Sequence, residues 1–250
     1  MAQRQVFVVS AARTAIGSFG GSLRDQPLSD LATLVVRAAI ERAGIDASMV
    51  GNVVMGNVIP TEPRDAYLGR VAAVDAGVPL ETPAFNVNRL CGSGLQAIVS
   101  AAQSIMLGDT DIAIGAGAES MSRGPFIMNN MRWGARLGNS EAVDYMNGIL
   151  HDPWKRMHMG VTAENVAARY GIDRQSQDEL AAESQLRAAR AISKGYFEGQ
   201  IVPVEIRTRK GVSHFNRDEN VRAEVTVEQL STMKPVFIKE KGTVTAGNAS

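Results

Sequence analysis

The chain has 250 residues, of which 45% are hydrophobic and 21% charged, so it is long and apolar enough to bury one large or two modest cores. Its 26 basic and 26 acidic residues cancel, so the net charge of the whole chain favours neither nucleic acid nor an anionic membrane surface as a partner. One cysteine cannot form an internal disulfide or a paired-cysteine metal site. We also expect neither a secretion signal nor a bilayer-spanning segment. We therefore predict a soluble cytoplasmic protein without a metal site.

The first 120 residues alternate between strand-like and helix-like segments. Val6, Val8 and Val9 open a strand-like run, and apolar residues from Leu28 to Ala39 then recur at helical spacing up to an Ala-Gly-Ile sequence at 43–45. Five more segments follow in the order strand, helix, strand, helix, strand: VGNVVMGNV, YLGRVAAVDAG, AFNVN, GLQAIVSAAQSIMLG and DIAIGAGAES. The alternation predicts the α/β class, with an open parallel sheet covered by helices on both faces.

The pattern changes after about Glu119, where glycine, methionine, asparagine and arginine mix without a sustained period. Beyond this stretch, TAENVAARYG predicts a short helix with Thr162 as its N-cap, and residues 174–194 predict a long helix capped by Asp173 or Ser176. IVPVEIR predicts a strand, residues 207–235 carry no clear pattern, and GTVTAGNAS predicts a strand that enters a turn.

The single cysteine, Cys91, lies in the stretch NVNRLCGSGLQA between a predicted strand and a helix that begins near Gly92. Its sulfur is therefore expected at the positive end of the helix, where a thiolate is favoured, and Gly92 and Gly94 allow a ligand to approach the backbone closely. These features suit a nucleophile in covalent acyl transfer, although no base is visible nearby in the sequence. The alternative is an inert cysteine buried in the core.

The same turn also fits a weak dinucleotide-binding pattern. Residues 92–97 read G-x-G-x-x-A between a strand and a helix, and Glu119 at the end of the next strand is a candidate ribose ligand. Residues 88–90 make the turn longer than pyrophosphate binding requires, and the cysteine has no role in such a site. An NAD(P)-binding enzyme that uses the Gly92 turn nevertheless remains an alternative.

Five segments, in order along the whole chain, resemble the thiolase family of enzymes that join or split acyl-coenzyme A thioesters. They are ARTAIGSFGGSL (12–23), NRLCGSGLQAI (88–98), GAGAESMS (115–122), HMGVTAENVA (158–167) and GTVTAGNAS (242–250). NVIPTEPRDAYLGRVAA and MRWGARLGN are most similar to short-chain 3-ketothiolases of polyester-precursor synthesis or fatty-acid breakdown. The resemblance implies that residues 1–118 form a sheet domain, half of an αβαβα sandwich, that 119–242 form an inserted loop domain that binds coenzyme A, and that 243–250 begin a strand returning to the sheet domain.

The resemblance also implies a reaction and its missing parts. Cys91 matches the family cysteine that takes the acyl group from an acyl-CoA, before a second acyl-CoA attacks the acyl-enzyme in a Claisen condensation or coenzyme A cleaves it in thiolysis. The family's His of a G-H-P motif and its second Cys match nothing in this sequence. We therefore expect the C-terminal catalytic half to be absent from these 250 residues and the fragment alone to be inactive. Either the polypeptide contains more than these residues, or the fragment is poorly soluble on its own.

Coenzyme A contacts are implied position by position. The matching residues are Leu150, His158, Met159, Arg222, Leu230, Phe237, Ala246 and Ser250. At position 229 this chain has Gln229 where the family has a serine. Residues 121–250 carry 18 basic and 15 acidic residues, which weakly favours a polyanionic ligand. The resemblance implies coenzyme A thioesters as substrates and no tightly bound cofactor. It also implies a homo-oligomer, either a dimer or a tetramer. Two alternative functions remain: a catalytically incomplete coenzyme A-binding fragment, and a hydrolytic enzyme that uses a Cys91–His158 dyad.

Overall fold

The computed structural model describes residues 4–209 and 211–249, which group into two compact units. Unit 1 comprises Met1–Asp144 and Gln200–Glu219, and unit 2 comprises Tyr145–Gly199 and Asn220–Ser250. These limits differ from the expected ones at 118 and 242, because residues 119–144 and 200–219 pack within unit 1. The assignment of a separate loop domain to 119–242 stays a prediction.

Unit 1 contains a three-stranded parallel sheet with intervening helices. In chain order the elements are α1 (Leu28–Ala43), β1 (Asn52–Gly56), α2 (Leu68–Asp75), β2 (Ala84–Val87), α3 (Ser93–Leu107) and β3 (Ala113–Gly117). The strands lie in the order β2-β1-β3, with Val54 opposite Phe85 on one side and Gly115 on the other. The predicted alternation and the parallel sheet are confirmed.

Strand β1 is buried on both faces, as expected for the centre of a covered sheet. Val53 and Met55 contact one hydrophobic cluster, and Val54, pointing the other way, packs on Ala97 and Ala101 of α3. The first cluster is built mainly from α1 and α2 and includes Leu28, Ala32, Val36, Ile40, Leu68 and Ala72. Helices therefore cover the two faces of β1 from opposite sides.

Helix α3 presents its remaining surface outward. Within the part of the chain that the structure describes, Leu90–Leu107 is long and apolar enough to cross a membrane by composition, with a mean hydropathy of 1.3 and 17% of it buried. The expectation that no segment spans a bilayer stays a prediction, because this segment qualifies by length and composition only. The 15 residues of α3 span only about 22 Å, shorter than the hydrocarbon core of about 30 Å.

The run Val6–Val9 does not form the predicted strand. Phe7, Val8 and Val9 are 73%, 82% and 72% exposed, and residues 6–9 join no ladder with any described strand. A strand requires a neighbour that satisfies its backbone N–H and C=O groups, and β-branched composition alone does not supply one. The predicted strand is therefore wrong, because no strand among the described residues pairs with it.

Two antiparallel pairs complete unit 1. Strands β4 (Phe126–Ile127) and β5 (Val143–Asp144) pair with each other, and so do β6 (Val204–Thr208) and β7 (Gly211–Phe215). Val204 and Phe215 pack with Ala15 in a separate apolar cluster. The predicted strand within 201–207 is confirmed, whereas β7 lies within residues 207–235, where no clear pattern was found.

Unit 2 is mainly helical, with α4 (Tyr145–Ile149), α5 (Met159–Tyr170), α6 (Arg174–Ser193) and α7 (Val227–Ser231). The carboxylate of Asp173 caps α6 by accepting a hydrogen bond from the Ser176 N–H at 2.8 Å. Of the two predicted caps, Asp173 and Ser176, Asp173 is therefore confirmed. The N-cap of α5 is His158, and Thr162 lies inside that helix, so the predicted Thr162 cap is wrong. An imidazole nitrogen takes the place of the expected hydroxyl.

The segment 243–249 bends rather than forming the predicted strand. The carboxylate of Glu164 accepts hydrogen bonds from the backbone N–H groups of Thr243 at 2.8 Å and Val244 at 2.9 Å. One bridge, between Pro235 and Thr245, is all the pairing found in the described part of this segment. Because the N–H groups are bonded to a side chain, they do not extend a ladder.

Candidate active site

Cys91 lies in a tight turn between β2 and α3, and its side chain is exposed. The turn closes with hydrogen bonds from the Gly92 N–H to the Arg89 carbonyl at 3.1 Å and from the Ser93 N–H to the Leu90 carbonyl at 3.0 Å. Gly92 is the N-cap of α3. The thiol therefore lies just before the first turn of α3, at the positive end of the helix dipole.

The residue before the cysteine holds a strained conformation. Leu90 has a φ of 48°, a value that a γ-branched residue seldom adopts. Its N–H donates to the side-chain oxygen of Asn88 at 3.0 Å, and its carbonyl accepts from the Ser93 hydroxyl at 2.6 Å, which in turn accepts from the Arg89 N–H at 2.8 Å. These side chains hold the turn that presents Cys91.

Two glycines let α3 approach the sheet closely. A Cβ on Gly56, at the end of β1, would lie 2.6 Å from the backbone carbon of Ser93. A Cβ on Gly115, in β3, would lie 2.6 Å from the Cα of Ile98. No side chain fits at either position, so both glycines set the distance between the helix and the sheet.

The exposed thiol excludes the inert core interpretation and suits a nucleophile. Cys91 lies at the start of a helix, in a strained turn, and its side chain is exposed, so the carbonyl carbon of a substrate in solution can reach it. Sequence reasoning identified this position from the strand-to-helix change and the two glycines. It did not identify Asn88 or Ser93 as the groups that hold the turn.

Glu119, the candidate ribose ligand, is already hydrogen-bonded to backbone N–H groups. Its carboxylate accepts hydrogen bonds from the Val58 N–H at 2.9 Å, the Ile59 N–H at 3.0 Å and the Asn57 side-chain amide at 3.1 Å. Burial, opposed by the two N–H groups and reinforced by the nearby charge of Asp65, raises the pKa of Glu119. A carboxylate held in this way is not offered to a ribose hydroxyl, which argues against the dinucleotide alternative.

Unit 2 brings together several of the positions implied by the family resemblance. The His158 ring stacks on Phe237 with centroids 4.7 Å apart and meets His151 edge-on at 5.1 Å. The Nδ1 of His158 accepts from the Gly160 N–H at 3.0 Å, so that nitrogen is occupied as a helix cap and is not free to act as a base. Phe237 also packs directly over Gly160, where no side chain would fit.

A narrow loop places Leu150 and Met159 next to this aromatic group. The Met159 N–H donates to the Leu150 carbonyl at 2.8 Å, and His151 and His158 form an antiparallel bridge in the same loop. Met159 is 42% exposed. The aromatic stack and this loop bring Leu150, His151, His158, Met159 and Phe237 together in unit 2, and we call this group the aromatic patch. His151 was not among the predicted residues.

The remaining implied contacts are distributed differently. Leu230 is buried at 4% exposure and packs near Gly247, next to the exposed Ala246. Arg222 is exposed and lines a shallow depression with Glu224 and Gln229, among others, and none of the aromatic residues above belongs to its lining. Ser250 lies outside the described residues.

The structure thus combines an α/β sheet unit, which presents an exposed thiol at the start of a helix, with a mainly helical unit that carries stacked aromatic side chains. The family described as "Thiolase, N-terminal domain" matches residues 6–250. The chain belongs to the thiolase family. This membership confirms the fold class expected from the five motifs.

Known proteins of this family are similar along the whole chain. A beta-ketothiolase, BktB, of Cupriavidus necator is 62% identical over 247 residues, which are 99% of this chain and 63% of that protein. The crystal structure of the Bacillus anthracis acetyl-CoA acetyltransferase superposes with a TM-score of 0.95 at 40% identity, covering 100% of this chain and 63% of that one. Human mitochondrial 3-ketoacyl-CoA thiolase in complex with CoA gives 0.92 at 39% identity, covering 98% and 61%. The chain thus spans a little over three fifths of the length of these proteins.

Proposed function

We propose that the protein containing this chain is an acyl-CoA:acetyl-CoA C-acyltransferase, and that Cys91 is the group that becomes acylated. The observation that carries the proposal is the exposed Cys91 at the start of α3, in a turn that holds Leu90 in a strained conformation. In the first half-reaction the Cys91 thiolate attacks the thioester carbonyl, an S–C bond forms, and the coenzyme A thiolate leaves and takes up a proton. The positive end of α3 stabilises the attacking thiolate.

Coenzyme A thioesters are the proposed substrates. A related structure is a complex with CoA, and other relatives bear names that specify acetyl-CoA or a ketothiolase. In this chain the stacked rings of His158 and Phe237, with Met159 beside them, offer an apolar surface suited to pantetheine and an acyl chain. Arg222 on its exposed depression suits adenine or a phosphate.

The family's bases for the second half-reaction, the histidine of a G-H-P motif and a second cysteine, match nothing in this sequence. Claisen condensation or thiolysis needs one base for the thiol and one for a carbon-bound proton. Of the three histidines, His158 is occupied as a helix cap, and there is no second cysteine. We propose that these bases come from polypeptide beyond the residues given, and that the protein acts in the cytoplasm as a homo-oligomer with no tightly bound cofactor, nucleic acid or membrane partner.

Intact-mass measurement after mixing with acetyl-CoA tests the first half-reaction. We expect one acetyl adduct on the wild-type chain and none on Cys91→Ser, because the thiol is the only cysteine and the proposed acceptor. Serine preserves the size of the side chain, so loss of the adduct reports chemistry rather than folding. An adduct that survives Cys91→Ser would exclude this assignment.

A coenzyme A-binding fragment without covalent chemistry is the second candidate. The absence of both family bases from the sequence favours it. Saturable binding of coenzyme A in a calorimetric titration, with no adduct on Cys91 under the conditions above, would replace the first proposal by the second. No binding and no adduct would remove both.

A further inference from the structure

The segment 57–59 links the sheet to the nucleophile turn. The Asn57 N–H donates to the Val87 carbonyl at 3.1 Å, and the Asn88 side-chain amide donates to the Val58 carbonyl at 3.5 Å. Asn88 in turn accepts the Leu90 N–H at 3.0 Å. The chain 57–59 is therefore in direct contact with the two residues that lead into the turn before Cys91.

Glu119 fixes that segment from the other side. Its two carboxylate oxygens take the N–H groups of Val58 and Ile59 and the Asn57 amide, so both oxygens are bonded to the same short stretch. Asn57 also donates to the Ala118 carbonyl at 3.1 Å, which ties the end of β3 to the end of β1. Three residues on one loop are held by one side chain.

The strained turn needs such support. A left-handed conformation at a non-glycine residue persists only where the surrounding structure over-determines it. At Leu90 the support comes from Asn88 and Ser93, and Asn88 is itself positioned against Val58. Removal of the Glu119 carboxylate would free the segment that carries the Val58 carbonyl.

We propose that Glu119 is a positioning residue for acyl transfer, which acts through segment 57–59 and Asn88 to hold Cys91 in the geometry that attacks a thioester. This inference deepens and rests on the proposed acyltransferase function. Glu119 touches no reacting atom in this arrangement; its effect is carried entirely by main-chain and amide hydrogen bonds. A misplacement of about 1 Å at a reacting centre is enough to cost up to about 100-fold in rate.

The substitution Glu119→Gln, made in the full-length polypeptide, tests the inference. Glutamine keeps the size of the side chain but places an NH₂ group against backbone N–H donors, so the clamp opens. We expect single-turnover acylation of Cys91 by acetyl-CoA to slow about tenfold or more, with the dissociation constant of coenzyme A changed less than about twofold. Asn88→Ala is expected to slow acylation similarly, and the double variant to be no slower than the slower single one.

Glu219→Gln is the matched control. Glu219 is another unit 1 carboxylate that accepts backbone N–H groups, from Ser18 at 2.6 Å and Ser22 at 3.2 Å, and none of its bonds leads to the Cys91 turn. We expect this variant to lower the melting temperature without slowing acylation. If Glu119→Gln slows acylation no more than Glu219→Gln at a comparable loss of melting temperature, Glu119 has a structural role only and the inference is wrong.

Alkylation of Cys91 by iodoacetamide separates this inference from the proposed function. If wild-type protein forms no acyl adduct, the acyltransferase proposal fails, yet the alkylation rate still reports the state of the turn. A Glu119→Gln alkylation rate several-fold below wild type would support positioning in that case as well. An unchanged alkylation rate in a folded variant would overturn it.

Discussion

Glu164 shows how a single carboxylate replaces strand pairing. Although burial raises its pKa, hydrogen bonds from the Thr243 N–H, the Val244 N–H and the Thr243 hydroxyl outweigh that effect and hold the pKa of Glu164 below its usual range. The charged form is therefore the one the fold favours. This bond set, rather than a ladder, determines the course of segment 243–244.

The pH dependence of stability should report this carboxylate. Because the folded-state pKa is lowered, its contribution is present above the unfolded-state pKa and is lost as the pH falls through the lower folded-state value. We expect Glu164→Gln to reduce the free energy of unfolding by about 1–3 kcal/mol near neutral pH, and the difference from wild type to shrink as the pH falls below the ordinary pKa of a glutamate. Urea unfolding at several pH values measures it.

An exposed carboxylate provides the control for this prediction. Glu179 on α6 is exposed and accepts a single hydrogen bond from the Gln175 side chain. Glu179→Gln should change the free energy of unfolding little at any pH, since exposed pairs contribute little. A Glu164→Gln difference that stays constant with pH would contradict the assigned cause.

The contact between α3 and the sheet is the feature that places the nucleophile at the scale of elements. Gly56 and Gly115 bring the backbone of α3 directly onto β1 and β3, while Ala97 and Ala101 fill the same face with small side chains. The helix start, and Cys91 with it, is thus positioned by the absence of side chains. Larger residues in the same strands would move the turn away from the sheet.

Two glycine substitutions near this contact should have opposite effects. In Gly56→Ala the new methyl group meets the Ser93 backbone, so we expect a loss of about 1–3 kcal/mol in the free energy of unfolding. In Gly94→Ala, on α3, the methyl group meets nothing within 4 Å, so we expect a gain of about 0.5–1 kcal/mol. Thermal or urea unfolding of the two variants checks the signs; destabilisation by Gly94→Ala would show that the helix start is more crowded than this packing indicates.

On the scale of the whole molecule, chemistry and ligand binding are assigned to different units. The proposed nucleophile and its supports lie in unit 1, and the aromatic patch around His158 and Phe237 lies in unit 2. Variants in the two units should therefore affect different kinetic steps.

Phe237→Ala tests this division. Loss of the Phe237 ring is expected to raise the dissociation constant of coenzyme A about fivefold, because one aromatic contact with the ligand contributes about 1 kcal/mol beyond its buried area. Alkylation of Cys91 by iodoacetamide should stay at the wild-type rate. Tyr170→Ala, an exposed aromatic residue of the same unit at 68% exposure, serves as the control and should leave both quantities unchanged. Equal losses in the two variants would mean that the patch is not the coenzyme A site.

Local patterns in the sequence were sufficient to predict most of the helices and the three strands of the parallel sheet. The helices α1, α2, α3 and α6 and the strands β1, β2 and β3 appear where apolar periodicity, glycine stops and Asp173 indicate them. The motif around Cys91 was equally legible, because the change from strand to helix and the flanking glycines are contiguous. Family membership followed from five such contiguous motifs.

Features that join distant residues were decided only by the tertiary structure. Val6–Val9 lacks a neighbouring strand, His158 replaces Thr162 as a helix cap, and Glu119 is bonded to residues about 60 positions away rather than offered to a ligand. The physical reason is the same in each case: a backbone N–H or a buried carboxylate must find a partner, and which group arrives in range depends on how the chain folds back on itself. The sequence by itself determined the sheet, its helices and the position of the thiol; the fold decided which polar groups hold that thiol in place.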